Sequence, residues 1–468
     1  MKKQKIKKYF IFLLSVLLMK HLYAQTIVEL TNIALENNSE IISAQKTYES
    51  MMLSSKTMDG AFSPQVSFSS STKFPDEFSW NTSPDYLSSS VSYIQPLPGG
   101  TTISISGETS IKKECINNEY YLSQNPNVSI SLQQSLLPFW GQGKLKDPII
   151  ENKDLQKQYY YNQLLNTKKN ILINLAQIFI YSLIYQKQIQ ISQNSLILIN
   201  EQIEAVKQLK STGASSQSKI TELLINKWSS QQDLVNIKAN FESSIQSLKT
   251  LCNCNLNNIS INQLDNIIIS TDDFINLIQE ATGNSLDFVE KNYQLKLKML
   301  SINRCLEKQN SAPIVSISIQ PSWNLELQKE NEWLDAWKNL NSPSNWSATV
   351  GINLSPLISA TVKQDKKQYK FNYDSLVNSY IAYEKQKEFI LPQYQSLYEQ
   401  YQKQLVEITN LYNESFIELT DMEKQYTTGA ISKIDYDSIK FRVENCSLNM
   451  EINELYVWLY DFLIKVNK

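Results

Sequence analysis

Residues 171–206 read ILINLAQIFIYSLIYQKQIQISQNSLILINEQIEAV. Seam positions recur in this stretch at alternating intervals of four and three, which is the spacing of a coiled coil. Nine of these eleven positions are apolar: Ile171, Leu175, Ile178, Ser182, Tyr185, Ile189, Ser192, Leu196, Ile199, Ile203 and Val206. The pattern predicts one very long helix that begins near Lys144. At ~1.5 Å per residue, roughly 67 helical residues extend about 100 Å, which is too long for an ordinary globular core.

The same plan occurs twice in the chain. The first long helix is followed by a returning helix to Leu251, and a second long helix is predicted from Ala360 to Tyr426, with its return from Lys433 to Val466. Each long helix stops at a Thr-Gly-Ala turn, formed by Thr212, Gly213 and Ala214 and by Thr428, Gly429 and Ala430. Glycine favours so tight a stop because it adopts positive φ. We expect Ser215 or Ser216, and Ser432, to cap the returning helices.

Short segments with a period of two separate the helices. They alternate apolar residues with Ser, Thr or Gly, as outer-membrane strands of about nine to eleven residues do. The six segments centre on 66–71, 91–93, 103–106, 128–132, 315–320 and 348–354. Trp80, Trp140, Trp323 and Trp346 lie near strand ends, where interfacial aromatics belong. The polar stretches Ile111 to Asn125 and Asn324 to Asn345 are predicted to be extracellular loops.

Matching registers indicate a duplication. Ser63-Pro64-Gln65-Val66-Ser67 corresponds to Ala312-Pro313-Ile314-Val315-Ser316, and the two Thr-Gly-Ala turns correspond in the same way. We therefore divide the chain into a signal peptide (1–24), a first repeat (25–255), an equatorial linker (256–271) and a second repeat (272–468). Each repeat consists of a helix, strands, a long helix and a return helix, with unbroken helices predicted over Thr26–Asp59 and Asp272–Asn310.

The N-terminus and the composition limit the function. A basic start, an apolar run from Tyr9 to Met19 and a small-residue site at Ala24 predict export. That segment carries six Lys and no acidic residue, so the rest of the chain has 38 basic and 46 acidic residues and a net charge of −8. This balance argues against nucleic acid as a partner. The one histidine, His21, leaves with the signal, and no phosphate-binding loop is present, so we expect no enzyme and no cofactor or metal.

The cysteines form no framework. Cys115, Cys252, Cys254, Cys305 and Cys446 are odd in number, and we interpret them chiefly as small buried side chains. A single disulfide, for example through Cys252 or Cys254, is an alternative in an oxidising compartment.

The strands and helices together indicate an envelope-spanning conduit. Six strands do not enclose a water-filled pore, because single-chain barrels begin at about eight, so we expect subunits to share one barrel. The first repeat contributes four strands, so either the barrel is large or the hairpin from Ser88 to Ser110 lies elsewhere. An alternative is a coiled-coil scaffold or adhesin of the envelope without a pore.

Over essentially the whole mature chain the sequence resembles the TolC family of outer-membrane efflux and secretion channels. The resemblance lies in the repeat, the junctions at Pro64 and Pro313, those near Pro138 and Pro356, and the two Gly turns. It implies a mainly α fold with membrane β: a homotrimer with one shared β-barrel in outer-membrane lipid and a periplasmic α-barrel of coiled coils. It also implies a passive exit duct for a periplasmic adaptor and an inner-membrane pump of RND, ABC or MFS type.

The resemblance gives roles to the turns. Thr212, Gly213, Ala214, Thr428, Gly429, Ala430 and Ser432 become periplasmic tips that dock the adaptor. Tyr426 and Asp435 match aperture-closing positions of the family, and Asp437 stands beside a second one. Two positions depart from the family pattern, since Ile431 replaces a basic link residue and Ser438 an acidic one. We therefore expect Tyr426 and Asp435 to close the aperture less firmly than the family's network does.

Overall fold

The computed structural model describes twelve stretches of the chain. They are residues 26–73, 86–97, 100–116, 119–135, 148–211, 216–253, 269–283, 287–310, 313–323, 325–329, 343–353 and 361–467. The predicted signal peptide and nearly all of the predicted equatorial linker lie outside these residues. The chain divides into two compact units, one of residues 1–46, 162–290 and 380–468 and the other of residues 47–161 and 291–379.

Eight α-helices and eight strands are described. The helices are α1 (Ile27–Asn37), α2 (Ser39–Met58), α3 (Pro148–Ser211), α4 (Gln217–Leu251), α5 (Thr271–Thr282), α6 (Phe288–Asn310), α7 (Thr361–Thr427) and α8 (Lys433–Asn467). The strands are β1 (Gln65–Lys73), β2 (Tyr86–Leu97), β3 (Thr101–Ile116), β4 (Glu119–Gln124), β5 (Asn127–Ser135), β6 (Ile314–Ser322), β7 (Leu325–Lys329) and β8 (Asn345–Asn353). The predicted long helices and their returns are confirmed, with 64 residues in α3 and 67 in α7.

The first unit is a helical bundle. Its core contains the middle of α3, where Leu172, Leu175, Phe179 and Leu183 are fully buried. Apolar residues of α1, α4, α5 and α8 join the same cluster, among them Ile27, Leu30, Leu248, Phe274, Leu459 and Phe462. Buried residues of α3 lie on both sides of the predicted seam, so the helix packs against several neighbours rather than one.

Two predicted helices are each divided into two. Asn38 interrupts the helix predicted from Thr26, since its backbone is extended and its Oδ1 accepts hydrogen bonds from the amides of Glu40 and Ile41. Its Nδ2 donates to the carbonyl of Leu251 at 2.7 Å, which fixes the break against α4. Gly283, with φ of 72°, ends α5 inside the second predicted helix. The periodicity predicted helix correctly on both sides of each break. The capping side chain of Asn38 ends the first helix, and the left-handed Gly283 ends the other.

None of the helices in the described stretches is both long and apolar enough to cross a membrane.

The second unit is built on one antiparallel sheet. Its main path runs β1-β2-β3-β5-β6-β8, and every neighbouring pair is antiparallel. All six predicted strand segments lie on this path. The Ser88–Ser110 hairpin therefore belongs to the sheet, between β1 and β5, and the size of the barrel stays a prediction. In the described chain β1 and β8 each pair with one strand only, so both are sheet edges.

The loop prediction for Ile111–Asn125 is wrong. β3 continues to Ile116 and pairs with β4, and β4 in turn pairs with β7. Asn125 and Pro126 separate β4 from β5, and Trp323 and Asn324 separate β6 from β7. The central strands thus continue past the ends of the edge strands. Backbone pairing with neighbouring strands, rather than side-chain alternation, makes these polar segments extended.

Helix ends complete the second unit. Leu155 of α3 is buried with Leu295 and Ile302 of α6, and Tyr159 packs against them. The guanidinium of Arg304 lies 4.6 Å from the ring centroid of Tyr369, a cation–π contact between α6 and α7.

Candidate functional site

One face of the sheet carries large apolar side chains on all six main strands. Phe68 is opposite Val91, Ile105 is opposite Ile130, and Ile317 is opposite Val350. These side chains are unusually exposed to solvent for apolar residues, since Phe68 is 70% exposed and Val350 is 73% exposed. The face also includes Val66, Tyr93, Leu132, Ile319 and Ile352. We call it the apolar face. So many exposed apolar side chains in one contiguous band indicate contact with something apolar.

The opposite face carries small hydroxyl side chains at the alternate positions. Ser67 and Ser92 hydroxyls are 2.7 Å apart across β1 and β2, and Ser104 and Ser131 hydroxyls are 2.6 Å apart across β3 and β5. The row continues on the second repeat, where Ser318 and Thr349 hydroxyls are 2.9 Å apart. We call this the hydroxyl face. The side chains of the hydroxyl face in these rows are polar, short and uncharged. This face can therefore be hydrated, and its side chains occupy little volume.

Register explains why the two faces stay separate. Strand side chains alternate with a period of two, so a slip of one residue would place serines and isoleucines on the same side. In the pairs named above, the observed register places Ser opposite Ser or Thr on one face and apolar residues opposite apolar residues on the other. The alternation seen in the sequence is therefore preserved across both repeats.

The turn between α7 and α8 has a defined backbone. Gly429 has φ of 73°, its amide donates to the carbonyl of Tyr426 at 3.0 Å, and the amide of Ala430 donates to the carbonyl of Gln425 at 2.8 Å. This pair of bonds is a Schellman motif, in which a left-handed glycine satisfies the last carbonyls of a helix. A Cβ on Gly429 meets nothing within 4 Å, so conformation, not space, favours glycine there.

The predicted cap of α8 is confirmed. Ser432 Oγ accepts a hydrogen bond from the amide of Asp435 at 3.2 Å and donates to Asp435 Oδ2 at 2.6 Å. Asp437 instead faces Lys433, with its carboxylate 3.8 Å from the ammonium group. The two carboxylates therefore have separate partners, as alternate residues on a helix should. Asp435 ties the first turn of α8 to the Gly429 turn.

Tyr426 has an aromatic partner that sequence reasoning missed. Its ring stacks on that of Tyr436, with centroids 4.9 Å apart and planes at 9°. Further along the same hairpin, Arg442 Nη1 lies 3.1 Å from Glu418 Oε2, which joins α8 to α7 again. A tyrosine on each side of the predicted turn was the available signal for the stack. The structure brings Tyr426, Ser432 and Asp435 into one short hairpin end.

At the other predicted turn the end of α3 and the start of α4 are described, but residues 212–215 between them are not. Ser216 caps α4, and its Oγ accepts a hydrogen bond from the amide of Lys219 at 3.4 Å. Lys219 pairs with Glu222 at 2.9 Å on the same helix. The predicted tip residues Thr212, Gly213 and Ala214 lie outside the described residues.

A cluster of tyrosines joins α7 to α8 in the first unit. Tyr401 stacks on Tyr456 with centroids 4.3 Å apart, and it also stacks on Tyr460 at 5.6 Å. Burial, followed by the neighbouring phenols of Tyr401 and Tyr181, raises the pKa of Tyr456 to about 12. Burial likewise raises the pKa of Tyr460. These rings hold their protons well above neutral pH, so the cluster is an uncharged aromatic contact.

The acidic and cysteine side chains of the described residues bear on the questions of a metal site and a disulfide. Within them, no group of three or more His, Cys, Asp or Glu side chains is placed to hold a metal ion. Cys252 is buried, and its Sγ donates to the carbonyl of Leu30 at 3.7 Å. Cys254 lies outside the described residues, so the possible bridge through it stays a prediction.

This arrangement of long helices and a two-faced sheet is the fold of outer-membrane channel proteins. The chain resembles the solved outer-membrane channel OprN with a TM-score of 0.60 and 12% identity, over 94% of this chain and 89% of that one. It resembles the Campylobacter jejuni outer-membrane channel CmeC with a TM-score of 0.60 and 13% identity, over 94% and 85% of the two chains. It resembles the Vibrio cholerae outer-membrane protein VceC with a TM-score of 0.59 and 10% identity, over 94% of both chains.

These likenesses concern the fold, since the identities are low. No protein-family model matches the sequence, and no curated protein matches it. The similar structures OprN and CmeC are those of outer-membrane channels.

Proposed function

We propose that the protein is an outer-membrane channel that serves as the passive exit duct of a tripartite efflux or type I secretion system. The observation that carries this proposal is the pair of sheet faces. A continuous apolar face suits contact with lipid, and a hydroxyl face suits contact with water inside a pore. A soluble sheet would instead bury its apolar face against other parts of the protein.

The sheet edges support a shared barrel. Because all neighbouring strands on the main path are antiparallel and six in number, β1 and β8 run in opposite directions. The β8 edge of one copy can therefore continue the ladder onto the β1 edge of the next. Such a head-to-tail contact closes into a ring, which removes every exposed edge. A homotrimer, implied by the resemblance to the TolC family, is the closed form that we propose.

The hairpin turns are the proposed docking sites. In this arrangement the helices lie in the periplasm, and the Gly429 turn and its counterpart at Gly213 face a periplasmic adaptor and an inner-membrane pump of RND, ABC or MFS type. The Schellman turn and the Ser432 cap give the second tip a fixed shape, which suits repeated docking. Tyr426 and Asp435, with Asp437 nearby, are the proposed aperture residues.

The alternative of a pore-free scaffold or adhesin accounts for the helices but not for the sheet. A scaffold has no use for a sheet that separates hydroxyl side chains on one face from apolar side chains on the other. The apolar face, left open to solvent, would also promote aggregation.

Fractionation and electrical recording test the proposal together. We expect the protein in the outer-membrane fraction, migrating in unheated SDS gels as a trimer that dissociates on heating. The purified trimer in a planar bilayer should give discrete conductance steps. A water-soluble monomer that gives no conductance would rule the proposal out.

A further inference from the structure

We infer that the membrane pore of this protein is an eighteen-stranded barrel. Its circumference is then one and a half times that of a barrel to which each chain contributes four strands. The inference rests on the proposed function for the number of copies. Three copies of the six-stranded path β1-β2-β3-β5-β6-β8 supply the eighteen strands.

The β2–β3 hairpin is the part that enlarges the wall, and it is fully integrated into the sheet. β2 pairs with β1 along all nine residues of β1, from Gln65 opposite Ile94 to Lys73 opposite Tyr86. β3 pairs with β5 over eight positions, from Thr101 opposite Gln134 to Glu108 opposite Asn127. A hairpin folded into the lumen or lying on the surface would leave β1 to pair directly with β5.

The turn of this hairpin is also attached at the ends of its neighbours. The amide of Ser135, the last residue of β5, donates to the carbonyl of Gly100 at 3.1 Å. The side-chain amide of Gln95 donates to the carbonyl of Phe62, just before β1. At its turn end the hairpin is therefore level with the strands on either side of it.

The faces of the hairpin match those of the rest of the sheet. Ser90 and Ser69 hydroxyls are 2.7 Å apart on the hydroxyl face, and Ser92 is opposite Ser106 on the same face. On the apolar face Tyr93 is opposite Ile105. Both hairpin strands thus have one side suited to lipid and one suited to water, which a plug or a surface hairpin does not need.

Strand number sets the width of the pore. With strands ~4.8 Å apart and tilted by about 40°, eighteen strands enclose a backbone diameter of roughly 36 Å, against roughly 24 Å for twelve. Barrels of 16 to 18 strands leave an open aqueous channel, and the lumen here is lined by serine, which fills little of it. Bulky hydrated solutes can therefore pass through the barrel. Any selection of solutes by size takes place in the helical part of the duct.

Electron cryomicroscopy of the full-length trimer in lipid nanodiscs tests the inference directly. We expect a barrel of eighteen strands about 36 Å across between backbones. A variant lacking residues 86–116 joins β1 to β4 and β5 with the strand directions preserved, and its barrel should shrink by about one third. A full-length trimer with a barrel near 24 Å overturns the inference but keeps the proposed function. Failure to find any membrane-inserted trimer rejects both.

Disulfide trapping gives an answer even if the deletion variant does not fold. In a cysteine-free background, the pairs Phe68→Cys with Val91→Cys and Ile105→Cys with Ile130→Cys occupy directly opposite positions and should cross-link within one chain. The control pair Phe68→Cys with Ile130→Cys is three strand spacings apart, ~14 Å, and should not cross-link. Cross-linking of the control pair alone would mean that the hairpin is outside the wall.

Discussion

The rings of Tyr426 and Tyr436 stack almost in parallel across the α7–α8 turn, with centroids 4.9 Å apart and planes at 9°. Tyr426 is the second-last residue of α7, and Tyr436 is in the first turn of α8. The stack therefore fastens the two helices next to the Gly429 turn, at the end where we propose that the duct closes.

Replacing Tyr436 should loosen that end. Tyr436→Leu keeps an apolar side chain but removes the ring stack, a contact worth about 0.5–1.5 kcal/mol beyond the area that it buries. We expect amides of the turn to exchange with solvent several-fold faster, as measured by hydrogen exchange. Tyr380→Leu, far from the turn on helix α7, is the control. Equal exchange at the turn in all three proteins would mean that the stack has no such role.

Asp435 and Asp437 make a matched pair for the aperture. Asp435→Ala removes the carboxylate that accepts a hydrogen bond from the Ser432 hydroxyl, whereas Asp437→Ala removes a contact with Lys433 and leaves the Ser432 cap in place. We expect Asp435→Ala to raise single-channel conductance and weaken cation preference, and Asp437→Ala to change both much less. Unchanged conductance and selectivity in Asp435→Ala would contradict a role in closure.

The sequence predicted most of the fold because its two periodicities are strong. Alternation at residues such as Val66, Ser67 and Phe68 identified the strands, and the four-three spacing identified the helices. The capping serines were predictable for the same local reason, since Ser216 and Ser432 directly precede returning helices.

The features that were missed depend on partners distant in sequence. Asn38 stops a helix while its side chain bonds to the carbonyl of Leu251, 213 residues away. The extended segments β4 and β7 have little alternation, and they are strands because β4 pairs with β3 and β7 pairs with β4. The partner of Tyr426 could not be assigned either, because ring stacking depends on how the turn orients two helices.

Neighbouring residues on β6 test the two sheet faces. Ile317 is on the apolar face and Ser318 is on the hydroxyl face. A lysine facing lipid costs ~2–4 kcal/mol near the middle of the membrane, whereas a lysine facing the lumen stays hydrated. We expect Ile317→Lys to reduce the yield of heat-modifiable trimer sharply. Ser318→Lys should assemble normally and shift the selectivity of the pore toward anions. Similar yields for the two variants would argue against the assignment of the faces.

The tyrosine cluster predicts a sensitivity to alkali. Because the pKa of Tyr456 is raised to about 12, the folded protein holds this proton more tightly than the unfolded chain does. The resulting stability is fully present below pH ~10, the ordinary tyrosine pKa, and is lost as the pH rises through about 12. Ultraviolet titration of tyrosinate should show several late-ionising groups in the wild type and one fewer in Tyr456→Phe. A wild-type titration with no late group would contradict the buried stacking.

The most direct test of the central claim is the aqueous accessibility of the two sheet faces in the membrane. In an otherwise cysteine-free chain, Ser318→Cys should react with a water-soluble maleimide added to intact outer membranes. Ile317→Cys should stay unreacted until the membrane is dissolved and the protein unfolded. Equal reaction at both positions would show that both faces are wet, and would contradict a sheet that separates lipid from a water-filled duct.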